Sequence, residues 1–275
     1  MPKSGCDVSK DDEIKTVILI EDTGSLSAHE NAKALSTKTG FEVFQLAPEQ
    51  RKHKFAGKQW QLVFTKYGLV LRLSSEPSWS DIRVDFASAA LAYRKQHGGG
   101  RKEPLAKAIG IKSKEVLTVV DCTAGMGTDS FVMASVGATV TMLERSKVVA
   151  ALLEDGIHRA NEAALDIASR MQLRHADASQ YLQSIDPLPD VVYLDPMFPH
   201  KKKSAMVKKE MQAFQMLLGA DTDSHKLIDV ALKRAKQRIV VKRPNYADPI
   251  DNAEARLPDM AIKSKKHRFD VYIQK

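Results

Sequence analysis

Cysteine is almost missing from this chain. Only Cys6 and Cys122 occur, far apart and outside any CxxC or Cys–His pairing. That excludes a disulfide framework and a structural zinc site, and it fits a reducing cytoplasm. Long apolar runs are missing too. No stretch approaches the roughly 20 residues needed to cross a bilayer, and residues 1–15 are polar and charged, with no apolar segment behind them that would read as a signal peptide. No internal repeat, low-complexity tract or metal-ligand cluster is found. The expectation is a soluble, cytoplasmic protein with no membrane partner and no metal, monomeric, its first residues (1–15) disordered.

Charge of one sign dominates what is there. The 275 residues carry 42 Lys and Arg against 34 Asp and Glu, a formal net charge of +8. An excess of this size favours a polyanionic partner, with nucleic acid the first candidate. The length can bury a substantial core, in one large α/β domain or in a domain with a smaller appendage.

Hydropathy patterning divides the chain. Residues 16–20 form a short buried-strand pattern, 25–39 a helix closed by Gly40, and 41–46 a strand. Residues 60–64 and 69–73 flank a turn ending in Gly68, a hairpin signal. Residues 82–86 are strand-like and 87–96 helical, and Gly98, Gly99 and Gly100 then break the pattern. From residue 101 the rhythm changes. Strands are predicted at 116–121, 139–144, 171–175, 190–195, 238–243 and 268–274, with helices at 128–136, 146–163, 178–184, 204–218 and 224–237. Such alternation predicts an α/β fold with a doubly wound, mostly parallel sheet and ligands at the carboxyl ends of its strands. Residues 261–265 and 269–274 read as a closing hairpin that makes the last strand antiparallel. The expected organisation is a small α+β amino-terminal domain over 16–100, which holds no motif with derivable chemistry and is assigned RNA docking only as an expectation, and a catalytic domain over 101–275.

Two strand ends carry chemistry. The first is Asp121-x-x-x-Gly125-x-Gly127, which follows a strand and opens a helix. Its glycines let the backbone turn sharply and approach a ligand, and the helix start offers free N–H groups. A dinucleotide fingerprint needs a third glycine, but Ser130 stands there, so a ligand without a pyrophosphate fits better. The next strand ends at Glu144, whose carboxylate can accept both hydroxyls of a ribose. The third ends in His175-Ala176-Asp177, where Asp177 can accept an adenine amine. Each acid has a plain alternative: Glu144 and Arg145 as a solvated helix start, Asp177 as a helix cap, and Thr128 and Asp129 as first-turn capping residues. Asp129 can also face the methionine end of the cofactor. Three acids at successive strand ends beside Gly125 and Gly127 favour cofactor binding. Cys122 reads as wall rather than nucleophile.

The second is Val191-Val192-Tyr193-Leu194-Asp195-Pro196-Met197-Phe198-Pro199, an apolar strand that ends in an acid, a bent backbone and an aromatic ring. An exocyclic amine on a purine is a poor nucleophile because its lone pair is delocalised into the ring. Asp195 and the Pro196 carbonyl can accept its two N–H bonds and turn the lone pair toward an electrophilic methyl, and Phe198 can stack on the base. The gain is mostly orientation, and the base must leave its stack or start in a loop. The plain alternative is an Asp-Pro turn with a core Phe. Carbon methylation of pyrimidines would need a cysteine in this loop, and none is there. Together the two strand ends read as an amino-methyltransferase dependent on S-adenosylmethionine.

Basic residues cluster near these ends. Lys201, Lys202 and Lys203 follow the Asp195 segment and Lys242-Arg243 follow another strand, so these, with Arg101, are expected to rim the cleft and hold RNA phosphates without reading sequence. A solvated lysine face is the plain alternative.

The segments Asp121 to Gly127, Leu143-Glu144-Arg145, Tyr193 to Lys201, Val241 to Pro244, Gly98 to Arg101, Ala134 to Gly137 and His267 to Asp270 resemble the bacterial ribosomal RNA small subunit methyltransferase J family. The likeness runs from about Thr16 to the carboxyl terminus. It implies a Rossmann-like class I methyltransferase fold and N2-methylation of one guanosine in small-subunit (16S) rRNA, with that rRNA or the ribosomal subunit as partner. By position, the resemblance puts cofactor contacts on Thr128, Asp129, Glu144, Arg145, Asp177, Ala178 and Asp195. Amino-methyltransferases at large carry Asn/Asp-Pro-Pro-Tyr/Phe; Met197 replaces the second proline here, a change the family shares. An amino-methyltransferase acting on another RNA or DNA base would use the same motifs. A non-catalytic RNA-binding assembly factor is disfavoured by the intact acids, and a nicotinamide oxidoreductase by Ser130.

Overall fold

The computed structural model describes residues 16–21, 24–45, 60–76, 78–97, 99–112, 116–163, 165–196, 212, 216–218, 224–265 and 267–274. The chain divides into two compact units, Met1–Ile82 and Arg83–Lys275.

The first unit is built on strands β1 (Thr16–Ile20), β2 (Val43–Gln45), β3 (Trp60–Thr65) and β4 (Gly68–Leu73), in the order β2-β1-β3-β4. β1 runs parallel to β2 and β3, and β3–β4 is the expected hairpin, with Thr65 opposite Gly68. Helix α1 (Leu26–Thr39) starts where the Ser25 hydroxyl accepts the Ala28 N–H at 3.2 Å and stops at Gly40, which takes φ 81°. A left-handed residue at that place suits glycine, which has no Cβ to clash. Val17, Leu19, Val63 and Val70 form one apolar cluster of this unit.

The second unit begins at Arg83, so residues 83–100 fall in the second unit rather than in the amino-terminal one. The strand expected over 82–86 does not form. Ile82 makes an isolated bridge to Leu71, while Val84 and Phe86 are buried in the second unit. The alternation is that of an extended segment docked on helices: a Cβ on Gly156 would lie 2.5 Å from Val84, and Phe86 stacks on Phe131 at 5.9 Å. Helices α2 (Ala89–His97) and α3 (Pro104–Ile109) follow.

The alternating region holds β5 (Thr118–Asp121), α4 (Thr128–Ser135), β6 (Thr139–Glu144), α5 (Lys147–Glu162), β7 (Met171–His175), α6 (Ala178–Ser184), β8 (Val191–Leu194), α7 (Ser224–Ala231), β9 (Arg238–Pro244), β10 (Met260–Lys263) and β11 (His267–Ile273). Most lie within two residues of expectation. Helix α7 stops six residues early, because the Lys236 and Gln237 N–H groups bond to Pro189 and Asp190 carbonyls instead of continuing the helix. Of the helix expected over 204–218, only residues 212 and 216–218 are described, and they are helical.

These strands form one sheet of order β10-β11-β9-β8-β5-β6-β7. Pairs from β9 to β7 are parallel, and β11 is antiparallel to β9 and β10. All four residues of β8 are buried, as a parallel strand covered on both faces requires. One face carries Val120, Val192, Leu194 and Val241 against Leu182 of α6 and Ile228 of α7. The chain winds from β5 outward to β7, then returns to β8 on the other side of β5. The carboxyl ends of β5 and β8 therefore flank a topological switch point, where doubly wound sheets open a crevice.

The turn after β5 is locked from below. Asp121 is 1% exposed; one carboxylate oxygen accepts the Thr123 N–H at 3.0 Å and the other the Ser130 hydroxyl at 2.5 Å. Ser130 thus anchors the start of α4 to the strand, a use for a polar residue where a dinucleotide fold has glycine. Burial pushes the Asp121 carboxyl up to about 7, against the bonds from Ser130 and Thr123. A raised folded-state value means that this group's contribution to stability is full below about pH 4 and is lost as pH climbs through 7. Asp121→Asn keeps an acceptor and does not titrate. Urea unfolding from pH 4 to 8 should show the wild type losing roughly 2–4 kcal/mol relative to Asp121→Asn across that window; parallel curves would rule out the assignment.

Candidate active site

Strand register brings the site together. In the β5–β8 pair Asp121 lies opposite Tyr193, and in the β8–β9 pair Leu194 lies opposite Val241. One step further along each strand, Asp195 and Lys242 emerge side by side at the switch point. Alternation turns Tyr193 and Asp195 to the same face, where α4 presents Asp129. The Tyr193 hydroxyl donates to Asp129 Oδ2 at 2.7 Å. Lys242 Nζ donates to the same oxygen at 2.8 Å and to Asp195 Oδ2 at 2.7 Å. Arg94 of α2 stands 4.0 Å from Asp129 Oδ1 and is paired with Glu103.

The aspartate–proline corner is also tied directly to the glycine turn. The Asp195 N–H donates to Thr123 Oγ1 at 2.6 Å, and the Cys122 N–H to the Tyr193 carbonyl at 2.9 Å. The two strand ends singled out in the sequence therefore belong to one crevice. Pro196 is buried. Met197, Phe198 and the lysines 201–203 lie outside the described residues.

The three charges do not share their burdens equally. Burial pushes the Asp195 carboxyl above its ordinary range; Lys242 opposes the shift and Asp129 adds to it. Asp129 is also desolvated, but Lys242, the Tyr193 hydroxyl and Arg94 outweigh that and hold it below its ordinary range. Burial acts against the Lys242 ammonium, yet the two carboxylates carry it above its usual value. Asp129 is thus firmly ionised. Asp195, with its side chain 37% exposed, is the acid that can exchange a proton with a ligand.

The glycines differ in task. Gly127 takes φ 71°, and a Cβ there would meet the Phe86 ring at 2.7 Å, so it serves packing. Gly125 takes φ 52°, and its Cβ would meet nothing nearer than the Thr123 carbonyl at 3.8 Å. Among the described residues, the space above Gly125 is open. Beside it, Glu144 is buried at the end of β6, with Oε1 accepting the Ser146 N–H at 2.7 Å. Burial raises its carboxyl despite N–H bonds from Ser146, Gly125 and Arg145. A carboxylate has about four acceptor positions, so with three N–H bonds about one remains for a ligand's hydroxyl. Asp177 stands exposed at the end of β7, where its Oδ1 caps α6 through the Gln180 N–H at 2.9 Å and Ala178 opens the helix. Thr128 and Arg145 are exposed at the two helix starts. Acceptors at two adjacent strand ends, beside an open glycine turn, match the hydroxyls and amine of a nucleoside.

Some expectations change. The N-cap of α4 is Gly127 with no side-chain bond, so Asp129 is not a capping residue; it faces Tyr193 and Lys242. Asp121 is enclosed and shapes the turn rather than facing the crevice. Lys242, expected on a phosphate-binding rim, is enclosed by two carboxylates. Arg243 points to the other face of β9, is 9% exposed, and donates to the Asp248 carbonyl at 2.7 and 3.0 Å. Arg101 alone of the described basic candidates is exposed. Sequence reading missed Thr123 and Tyr193; for the latter, a hydroxyl two residues before Asp195 in an otherwise apolar strand was the available signal. Cys122 is buried and its thiol is pushed up by that burial, which fits wall rather than nucleophile. Among the described residues no group of three or more His, Cys, Asp or Glu could hold a metal ion, and no helix is long and apolar enough to cross a membrane.

Comparison with known proteins agrees with this geometry. A family model described as "Putative SAM-dependent methyltransferase" matches residues 45–274. The ribosomal RNA small subunit methyltransferase J of Alteromonas mediterranea is 55% identical over 201 residues, covering 73% of this chain and 77% of that protein. The protein of the same name from Aeromonas hydrophila is 51% identical over 221 residues, covering 78% of this chain and 87% of its own. The crystal structure of the SAM-dependent methyltransferase NGO1261 from Neisseria gonorrhoeae superposes with a TM-score of 0.68 at 34% identity, covering 93% of this chain and 95% of that one. The chain belongs to the ribosomal RNA small subunit methyltransferase J family of S-adenosylmethionine-dependent methyltransferases.

Proposed function

We propose that the chain transfers a methyl group to the exocyclic N2 amine of a guanosine in small-subunit ribosomal RNA. The observation that carries this reading is Asp195: an acceptor carboxylate at the switch point, its backbone bonded to the glycine turn through Thr123 Oγ1 at 2.6 Å. The name of the family's curated members supports the choice of RNA, and the resemblance of the Asp195 segment supports the choice of amine.

Glu144 and Asp177 would hold the ribose hydroxyls and the adenine amine of S-adenosylmethionine, with Gly125 leaving room for its passage. Bound there, the cofactor supplies a methyl group made electrophilic by its sulfonium. Asp195 and the Pro196 carbonyl would accept the two N–H bonds of the target amine and turn its lone pair toward that methyl. No strong base is needed to begin, because the nitrogen becomes acidic only once it carries the new carbon. Thr123 keeps Asp195 in place while this happens, so most of the gain is orientation. Thr128, Asp129, Arg145 and Ala178 would complete the cofactor's surroundings, Phe198 would stack on the base, and Arg101 with Lys201, Lys202 and Lys203 would contact phosphates.

The reading is tested by nucleoside analysis of small-subunit rRNA from a strain lacking the gene, where one N2-methylguanosine should disappear. Loss of a different methylated base would replace guanine N2 by that base. In labelled-methyl transfer to the same rRNA, Asp195→Ala should lower turnover about 100-fold or more, whereas Asp195→Asn should keep a measurable share because an amide oxygen still accepts. Full turnover by Asp195→Ala would remove it from the chemistry. Glu144→Ala should weaken cofactor binding about tenfold or more in isothermal titration, the equivalent of about 1.4 kcal/mol; an unchanged affinity would end the ribose assignment.

A further inference from the structure

We propose that Lys242 is a positioning residue for methyl transfer: its ammonium ties one carboxylate oxygen of Asp195 to Asp129 and leaves the other oxygen turned to the substrate amine. The inference rests on the reading of Asp195 given above and adds to it a residue that acts through Asp195.

The geometry is that of a clamp. Lys242 Nζ lies 2.7 Å from Asp195 Oδ2 and 2.8 Å from Asp129 Oδ2, with its own side chain 23% exposed. Among the described residues Asp195 Oδ1 accepts no hydrogen bond. The second anchor, Asp129, is itself fixed by the Tyr193 hydroxyl. The chain Tyr193–Asp129–Lys242–Asp195 thus spans β8, α4 and β9 and closes on β8, so the carboxylate plane of Asp195 is set by two strands and a helix.

Two simpler roles fit less well. A phosphate contact needs an ammonium open to the RNA, and this one already serves two carboxylates. A purely structural ion pair gains little, because desolvating the charges offsets most of their attraction. What the arrangement does provide is a carboxylate kept ionised beside another carboxylate. Without the cation, two acids that close cannot both stay charged, and one takes up a proton. Asp195 is the one already pushed upward.

The ionised state matters at the end of the reaction. As the nitrogen lone pair forms the N–C bond, the electron pair of the C–S bond stays on sulfur and the nitrogen becomes cationic. Its proton passes to Asp195 Oδ1 and from there to water. A protonated Asp195 can neither accept the amine N–H on that oxygen nor take the proton.

Among the described residues, the charged and titratable groups around Asp195 are Lys242 on β9, Asp129 on α4, Tyr193 on β8 and Asp121 on β5. Arg94 on α2 and His267 at the start of β11 act on Asp129 and Lys242. His267 is held below its ordinary range by burial and by Lys242.

The experiment is single-turnover methyl transfer from labelled S-adenosylmethionine to small-subunit rRNA between pH 5.5 and 9, for the wild type, Lys242→Met, Lys242→Arg and Asp129→Asn. Thermal melts and cofactor titration accompany each variant. Lys242→Met should lose about 100-fold in turnover at pH 7, with KM for rRNA within about threefold of wild type. Its acid limb should move about 2–3 pH units alkaline, so that turnover recovers at high pH, and Lys242→Arg should regain most of the rate. Asp129→Asn keeps acceptors for Tyr193 and Lys242 but removes the competing charge, so its acid limb should move the other way. That opposite sign keeps the test open if Lys242→Met does not fold. A raised KM with a weaker salt dependence and an unmoved acid limb would make Lys242 a phosphate contact. A loss equal at every pH, with a lowered melting temperature and no rescue by arginine, would make it merely structural. Either result overturns the proposal. Hydrolysis of the same product to nucleosides reports the methylated base separately, so a base other than guanine would refute the proposed substrate while leaving the pH shifts to judge Lys242.

Discussion

The site depends on one constraint, the pairing of β8 with its neighbours on both sides. Asp121 opposite Tyr193 and Leu194 opposite Val241 are single choices of register. A slip of one residue in either pair would turn every side chain to the other face. Tyr193 would then point away from α4, and Lys242 would leave Asp195. The apolar face of β8, with Val192 and Leu194 packed against α6 and α7, makes such a slip costly, so core packing holds the register and the register holds the chemistry.

The ties across the switch point follow from that register. Thr123 accepts the Asp195 N–H, Asp121 holds the turn by way of Thr123 and Ser130, and Glu144 receives the Gly125 N–H from the next strand. The ends of β5, β6 and β8 are therefore one hydrogen-bonded unit. A methyl transfer that works by orientation needs that, because an error of an ångström between reacting atoms costs much of the rate.

Much of this was legible in the residues. The apolar run 191–194, the glycines at 125 and 127, and the acids at 144, 177 and 195 each sit at a strand end, where the element boundary itself is the signal. Hydropathy alternation is a local property of the chain, so β6, β7 and α6 were bounded to the residue. Legibility failed where a local pattern had a non-local partner. Val84 and Phe86 alternate like a strand but pack on helices. Lys242 and Arg243 look alike in sequence, yet strand alternation sends one into the crevice and the other to the Asp248 carbonyl on the opposite face.

By itself the sequence determined the kind of sheet and the family, because periodicity and short motifs act over neighbouring residues. Only the tertiary structure decided which charges meet. Asp129, Asp195 and Lys242 are separated by tens of residues, and their contact depends on strand order, register and the helix laid over them. The same lysine would read as an open RNA contact on an exposed loop; between two desolvated carboxylates it becomes part of the acid's own environment.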